Sequence, residues 1–188
     1  MNDRPDTLCK PAETRMPLKA CFEVAEVLAS AVLVIAILFT FVLRFAGVVG
    51  ASMEPTLYDG EWLAITTFGN PQHGQIVIIS PRNEVNEPLV KRVIAVAGDR
   101  VDLRDGHVWV NGNNIFEPYI PPFANTEPAA DGLTFPLLVP ENAVFVLGDN
   151  RQHSTDSRHS QIGLVRVDDI LGRVLLRVWP NPTGNFDG

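Results

Sequence analysis

The run Leu89-Val90-Lys91-Arg92-Val93-Ile94-Ala95-Val96 is an apolar, β-branched stretch with two adjacent cations in its middle. As a strand, its period of two places Lys91 on the face of Leu89, Val93 and Ala95, while Val90, Arg92, Ile94 and Val96 share the other face. A lysine set in an apolar row has two readings. It is an edge-strand lysine that discourages aggregation, or it is a desolvated amine. In the second case burial disfavours the ammonium. Lowering a lysine pKa from about 10.4 to the 7–8 useful for a general base corresponds to roughly 4 kcal/mol of destabilised charge.

Working outward, runs of similar composition recur at Glu61–Thr66, Gln75–Ser80, His107–Val110, Ala143–Leu147 and Gly172–Val178, separated by Gly, Pro, Asn and Asp clusters. Nothing beyond Arg44 keeps a helical period. Asp105-Gly106 and Asn111-Gly112 bracket the His107–Val110 run and have the chemistry of tight hairpin turns. Residues 113–142 carry Pro118, Pro121, Pro122, Pro128, Pro136 and Pro140, which would interrupt a central ladder, so this segment is expected to be an extended loop or small insertion. The expected fold class is mainly β.

The N-terminal side is different. Val27 to Leu43 has no charged residue, and Ser30 and Thr40 are its polar breaks. Phe45, Ala46, Val48 and Val49 prolong the apolar character past Arg44, which can snorkel, so the stretch is long enough to span a bilayer as a helix. A soluble helix of this length would show a polar face. A cleavable signal would have a shorter apolar region after a short basic start. Arg4, Lys10, Arg15 and Lys19 precede the stretch and Arg44 alone follows closely, which places the N-terminus in the cytoplasm. The expected organisation is a cytoplasmic segment over 1–26, a transmembrane anchor over 27–46, and an extracytoplasmic domain over 47–188. The chain would then be a single-pass protein of the cytoplasmic membrane.

With 188 residues there is room for one cored domain plus the anchor, and a formal net charge of −7 without a basic stripe argues against nucleic acid as a partner. The two cysteines, Cys9 and Cys21, both precede the apolar stretch, so the rest of the chain has neither a disulfide nor a cysteine zinc site.

Two further segments carry chemistry. Gly50-Ala51-Ser52-Met53-Glu54-Pro55-Thr56 follows the anchor and puts a serine on an extended or turning segment. Gly148-Asp149-Asn150-Arg151-Gln152-His153-Ser154-Thr155-Asp156-Ser157-Arg158 follows an apolar run and is dense in short polar and charged side chains, as in a loop fixed by hydrogen bonds and ion pairs. Either alone is an ordinary loop. Together with Lys91 they resemble the bacterial type I signal peptidases, the Ser-Lys serine proteases of the cytoplasmic membrane. Ser-Met-x-Pro-Thr-Leu at Ser52–Leu57 is similar to that family's nucleophile box, Lys91-Arg92-Val93-Ile94 with Gly98-Asp99 to its base box, and Gly148–Arg158 to its third box. Val110-Asn111-Gly112, Glu117-Pro118-Tyr119 and the segment from Gly172 to Trp179-Pro180 are similar to family positions as well.

The resemblance implies a transmembrane helix followed by a β-rich protease domain that removes N-terminal signal peptides from exported precursor proteins. It implies Ser52 as nucleophile, Lys91 as general base and Ser154 as a hydroxyl that orients the amine, with Arg92, Asp149, Asp156 and Arg158 as supporting ion pairs. Met53, Leu89 and Val90 are expected to wall the small substrate pockets. No metal or organic cofactor is required, and the expected partners are precursor proteins and the lipid bilayer, with the enzyme a monomer. The chain departs from the family pattern at Gly50, where some members have a serine that helps hold the oxyanion, at Ala95 and Ala97, at His153, and at Gly60-Glu61 and Gly74-Gln75. A self-cleaving repressor would use the same serine and lysine but lacks a span, and a non-catalytic membrane-anchored β domain would not retain Ser52, Lys91 and Ser154. A Ser-His pairing through His153 or His159 is the remaining alternative.

Overall fold

The structure is a computed structural model that describes residues 18–41, 43–80, 87–184 and 186. The chain divides into an N-terminal unit ending at Phe39 and a second unit from Thr40 to Gly188. The cytoplasmic segment expected over 1–26 lies outside the described residues as far as position 17.

The described part of the first unit belongs to the helix α1, Leu18–Phe41, whose last two residues fall in the second unit. Its Leu18–Ile37 window has a mean hydropathy of 2.2 and buries none of its residues within the protein. A helix of 24 residues is roughly 36 Å long. It is long and apolar enough to cross a membrane, and its exposed side chains suit lipid better than water. Both ends differ from the expected span. The helix starts before Val27 and takes in Lys19, Glu23 and Glu26. It also stops before the apolar composition does, because residues 43–47 form a strand.

That strand is β1, Leu43–Gly47. It is followed by β2 (Trp62–Thr66), β3 (Ile76–Ile79), β4 (Leu89–Val96), β5 (Arg100–Arg104), β6 (His107–Val110), β7 (Asn113–Asn114), β8 (Leu137–Leu138), β9 (Ala143–Leu147), β10 (Val165–Arg166) and β11 (Ile170–Trp179). A single 3₁₀ turn, Val167–Asp169, is the helical element that follows α1 among the described residues. All six expected strand runs are present to within two residues of their bounds. Of those that were not expected, β7, β8 and β10 have two residues each, β1 depends on a partner well separated in sequence, and β5 is the first arm of the Asp105-Gly106 hairpin. Thus β1 pairs with β2 from Leu43↔Thr66 to Gly47↔Trp62, and this pairing places Phe45 and Ala46, expected at the end of the anchor, in the sheet.

The large sheet has the order β1-β2-β11-β3-β4-β9-β10 and the small sheet β7-β6-β5-β8, with antiparallel pairing throughout. The two hairpin turns form as expected: Asp105, Gly106, Asn111 and Gly112 have φ of 54°, 77°, 54° and 81°, the left-handed values that such turns demand. Residues 113–142 are mostly irregular, but β7 and β8 at their two ends complete the small sheet. The sheets share a core in which Ile94, Ala95, Phe145 and Leu147 meet Val101, Leu103, Val108 and Val110.

β4 lies between β3 and β9, which removes the edge-strand reading of Lys91. The alternation along it holds only as far as Val93. A register shift between Val93 and Ala95 sends Ala95 into the shared core with Ile94, and Val96 instead joins Leu89 and Val93 in a cluster with Val77, Val144 and Val146. An extra residue in one strand reverses the facing of everything after it.

Candidate active site

Ser52 sits in a run of turns over residues 51–57, pinned at both sides of the serine. Met53 and Leu57 are buried in a cluster with Leu63, Ile65, Ile76, Ile78 and Val90. The Leu57 N–H donates to Met53 O at 2.9 Å and the Glu54 N–H to Ala51 O at 3.2 Å. The hydroxyl is thereby turned toward β4, where Lys91 Nζ donates to Ser52 Oγ at 2.7 Å and to Val90 O at 3.1 Å.

Lys91 is 2% exposed. Burial pushes its amine down from an ordinary value of 10.5 to about 8, with Asp156 and then Asp149 pulling weakly the other way. Neither carboxylate is in contact with the amine, because each is already committed to an arginine. Arg92 forks onto Asp149, with Nε to Oδ1 at 2.9 Å and Nη2 to Oδ2 at 2.7 Å, both side chains fully buried. Arg158 forks onto Asp156, with Nε to Oδ1 at 2.8 Å and Nη2 to Oδ2 at 2.9 Å. Burial works against the Asp156 charge, and the Arg158 guanidinium with the Gly148 N–H outweighs it and holds the carboxyl below its usual range. Two buried ion pairs therefore neutralise their own charges and leave the lysine in a dry, nearly uncharged setting.

The loop after β9 reaches the serine through its backbone. The Asn150 N–H donates to Ser52 O at 3.0 Å, and Asn150 Nδ2 to Ala51 O at 3.0 Å. Thr56 Oγ1 donates to Asp149 Oδ2 at 2.5 Å. A Cβ at Gly148 would lie 2.1 Å from Ser154 Oγ and 2.5 Å from Ser52 O, so only glycine lets the serine turn close against this loop. Gly148, Asn150 and Thr56 lie inside the motifs singled out above, but their roles became visible only from these contacts.

Ser154 is buried beside Gly148. Its hydroxyl makes no hydrogen bond to the Lys91 amine and meets no partner in hydrogen-bonding geometry among the described residues, although it is near enough to Asp156 to help hold that carboxyl down. Of the expected pocket walls, Val90 lines a largely apolar cavity of about 520 Å³ together with Ala46, Gly47, Val49, Ile78 and Leu171. Met53 is buried beneath the serine turn, and Leu89 packs on the cluster of Val77 and Val93; neither borders that cavity. His153 is exposed and its ring meets Asn150 Oδ1 at 3.2 Å, while His159 faces Asp156, whose N–H reaches its Nδ1 at 3.4 Å. Neither ring is hydrogen-bonded to Ser52. No group of three or more metal-ligating side chains comes together among the described residues.

A family model described as signal peptidase, peptidase S26, matches residues 21–179. The chain belongs to this signal peptidase family. It is 37% identical over 163 residues to a signal peptidase I of Bacillus caldolyticus, a match that covers 80% of this chain and 87% of the relative. It is 40% identical over 131 residues to signal peptidase I P of Bacillus subtilis subsp. natto, covering 65% of this chain and 69% of that one. It is 33% identical to a probable signal peptidase I of Synechocystis over 175 residues, 88% of this chain and 77% of the relative. The S26 match begins within α1 and closes at Trp179, the last residue of β11, so it spans the serine turn, β4 and the loop after β9.

Proposed function

We propose that this signal peptidase is a membrane-anchored serine endopeptidase that cleaves signal peptides from exported precursors, with Ser52 as nucleophile and Lys91 as general base. The observation that carries this reading is the 2.7 Å contact between Lys91 Nζ and Ser52 Oγ, made by an amine whose pKa is lowered to about 8. A lysine so desolvated is neutral in a useful fraction near neutral pH and can take the hydroxyl proton. The alkoxide attacks the scissile carbonyl, the lysine returns its proton to the leaving amine, and the resulting acyl-enzyme is hydrolysed by water that the same amine deprotonates. Ser154, buried next to the dyad, supports the amine once substrate has closed the site. Arg92, Asp149, Asp156 and Arg158 hold the three segments in register. Nothing in this sequence of steps calls for a metal or organic cofactor.

The cavity beside Val90, floored by Ala46 and Gly47, fits a small side chain of an extended precursor. In this reading α1 anchors the enzyme in the cytoplasmic membrane with the N-terminus inside and the protease unit outside, and the enzyme acts as a monomer. A shared bilayer raises the effective concentration of an anchored substrate. Protease added to intact spheroplasts should then digest the region after residue 47, and complete protection there would reverse the topology.

The deciding experiment incubates the full-length protein in detergent micelles with a secretory precursor bearing an Ala-x-Ala site. Wild type should release the mature protein and Ser52→Ala should not. Cleavage by Ser52→Ala at the wild-type rate would remove Ser52 as nucleophile.

A further inference from the structure

Glu117-Pro118-Tyr119 belongs to the Pro-rich segment between β7 and β8, yet its side chains reach both sides of the site. The Tyr119 ring lies against the Arg92 guanidinium, 3.7 Å from Cζ to the ring centroid. Its hydroxyl donates to Glu117 Oε1 at 2.8 Å. The Glu117 carboxylate is forked by Arg151, with Nη1 to Oε2 at 3.1 Å and Nη2 to Oε1. Arg151 in turn donates from Nη1 to Thr126 Oγ1 at 2.6 Å and from Nε to Gly148 O at 3.0 Å.

These contacts close a circuit. Arg92 follows Lys91 on β4 and holds Asp149, and Asp149 accepts from Thr56 on the serine turn. Arg151 grips the carbonyl of Gly148, the glycine on which Ser154 and the Ser52 backbone close. We infer that Glu117 and Tyr119 are positioning residues for signal peptide cleavage, locking Arg92 and Arg151 so that the lysine strand and the loop after β9 keep their places around Ser52. This rests on the dyad reading above.

Phe116, next to Glu117, is 88% exposed and Phe123 is 81% exposed, so the flanking aromatic rings contribute little burial. Charges as buried as Glu117 and Arg151 are an inefficient route to stability, since desolvation consumes much of the attraction. Their geometric value is greater, because a forked pair fixes both distance and plane, and misplacement of reacting groups by about 1 Å can cost on the order of 100-fold in rate.

The test measures kcat and KM separately for the full-length enzyme on an Ala-x-Ala precursor, with melting temperatures and pH profiles of kcat/KM. Glu117→Gln removes the charge from the fork. Tyr119→Phe keeps the ring against Arg92 and removes one hydrogen bond, so it should fold even if Glu117→Gln does not. Both are expected to lower kcat, by about tenfold or more for Glu117→Gln and by less for Tyr119→Phe, with KM within about twofold of wild type and the acid limb of the profile displaced. Glu117→Asp should recover part of the loss. Variants with a lower melting temperature but wild-type kcat and acid limb would overturn the inference and leave the dyad reading standing, whereas a wild-type enzyme that fails to cleave would sink both.

Discussion

Lys91 and Arg92 are neighbours on one strand, both cations and both removed from water, and they meet opposite fates. Arg92 is given a fully buried carboxylate, the carbonyls of Gly74 and Phe186 at 2.8 and 2.9 Å, and an aromatic face. Lys91 is given a hydroxyl and a single carbonyl. Both side chains are buried, and they differ in their partners and in intrinsic basicity. The arginine stays charged and becomes a structural bolt, while the lysine sheds part of its hold on the proton and becomes available as a base. A strand that alternates its faces makes the separation possible within one residue step, since adjacent side chains look into different surroundings.

The sharpest way to break this contrast is Lys91→Arg, which should cost about 10³-fold or more in kcat/KM, because a guanidinium has no neutral form near neutral pH. Cleavage of precursor near the wild-type rate would make Lys91 structural and send the search for a base elsewhere. Next in size is Arg92→Met, which strands Asp149 without its buried partner and should lower stability by about 3–5 kcal/mol, read from thermal unfolding of the full chain in detergent. A loss below about 1 kcal/mol would mean that Asp149 is held by Thr56 alone.

The smaller effect runs the other way. The folded pKa of Lys91, about 8, lies below the ordinary 10.5, so the folded chain binds this proton less tightly than the unfolded one. The resulting penalty is absent above about pH 10.5, grows as the pH falls toward 8, and is complete beneath that, where it amounts to about 3 kcal/mol. Lys91→Met should therefore abolish activity yet raise the melting temperature at about pH 7, with the gain fading as the pH approaches about 11. A variant less stable than wild type at about pH 7 would show that the amine is bound as a stabilising cation, and the contrast with Arg92 would collapse.

How far the sequence reaches is visible in the same elements. The strand Leu89–Val96 was legible to the residue because its composition and punctuation are local, and the hairpins at Asp105-Gly106 and Asn111-Gly112 were legible because only a few residue types accept a positive φ. The end of the apolar helix was not legible, since Phe45 and Ala46 are as apolar as the residues before them. What takes them into β1 is pairing with Ala64 and Leu63, partners no local window contains.

By itself the sequence determined the mainly β character, the apolar N-terminal helix, and the three motifs that carry Ser52, Lys91 and the loop from Gly148 to Arg158. The first two are properties of composition and period, which the chain holds before it folds, and the motifs are read from their resemblance to the signal peptidases. Only the tertiary structure decided that β4 is an interior strand, that its alternation slips after Val93, and which carboxylate each arginine takes, Arg92 forking onto Asp149 and Arg158 onto Asp156. It also decided that a segment read as an insertion delivers Glu117 and Tyr119 to the site. Desolvation and ion pairing depend on what surrounds a group on every side: burial lowers the Lys91 amine against the opposing pull of Asp156 and Asp149, two carboxylates that lie far from it in the chain.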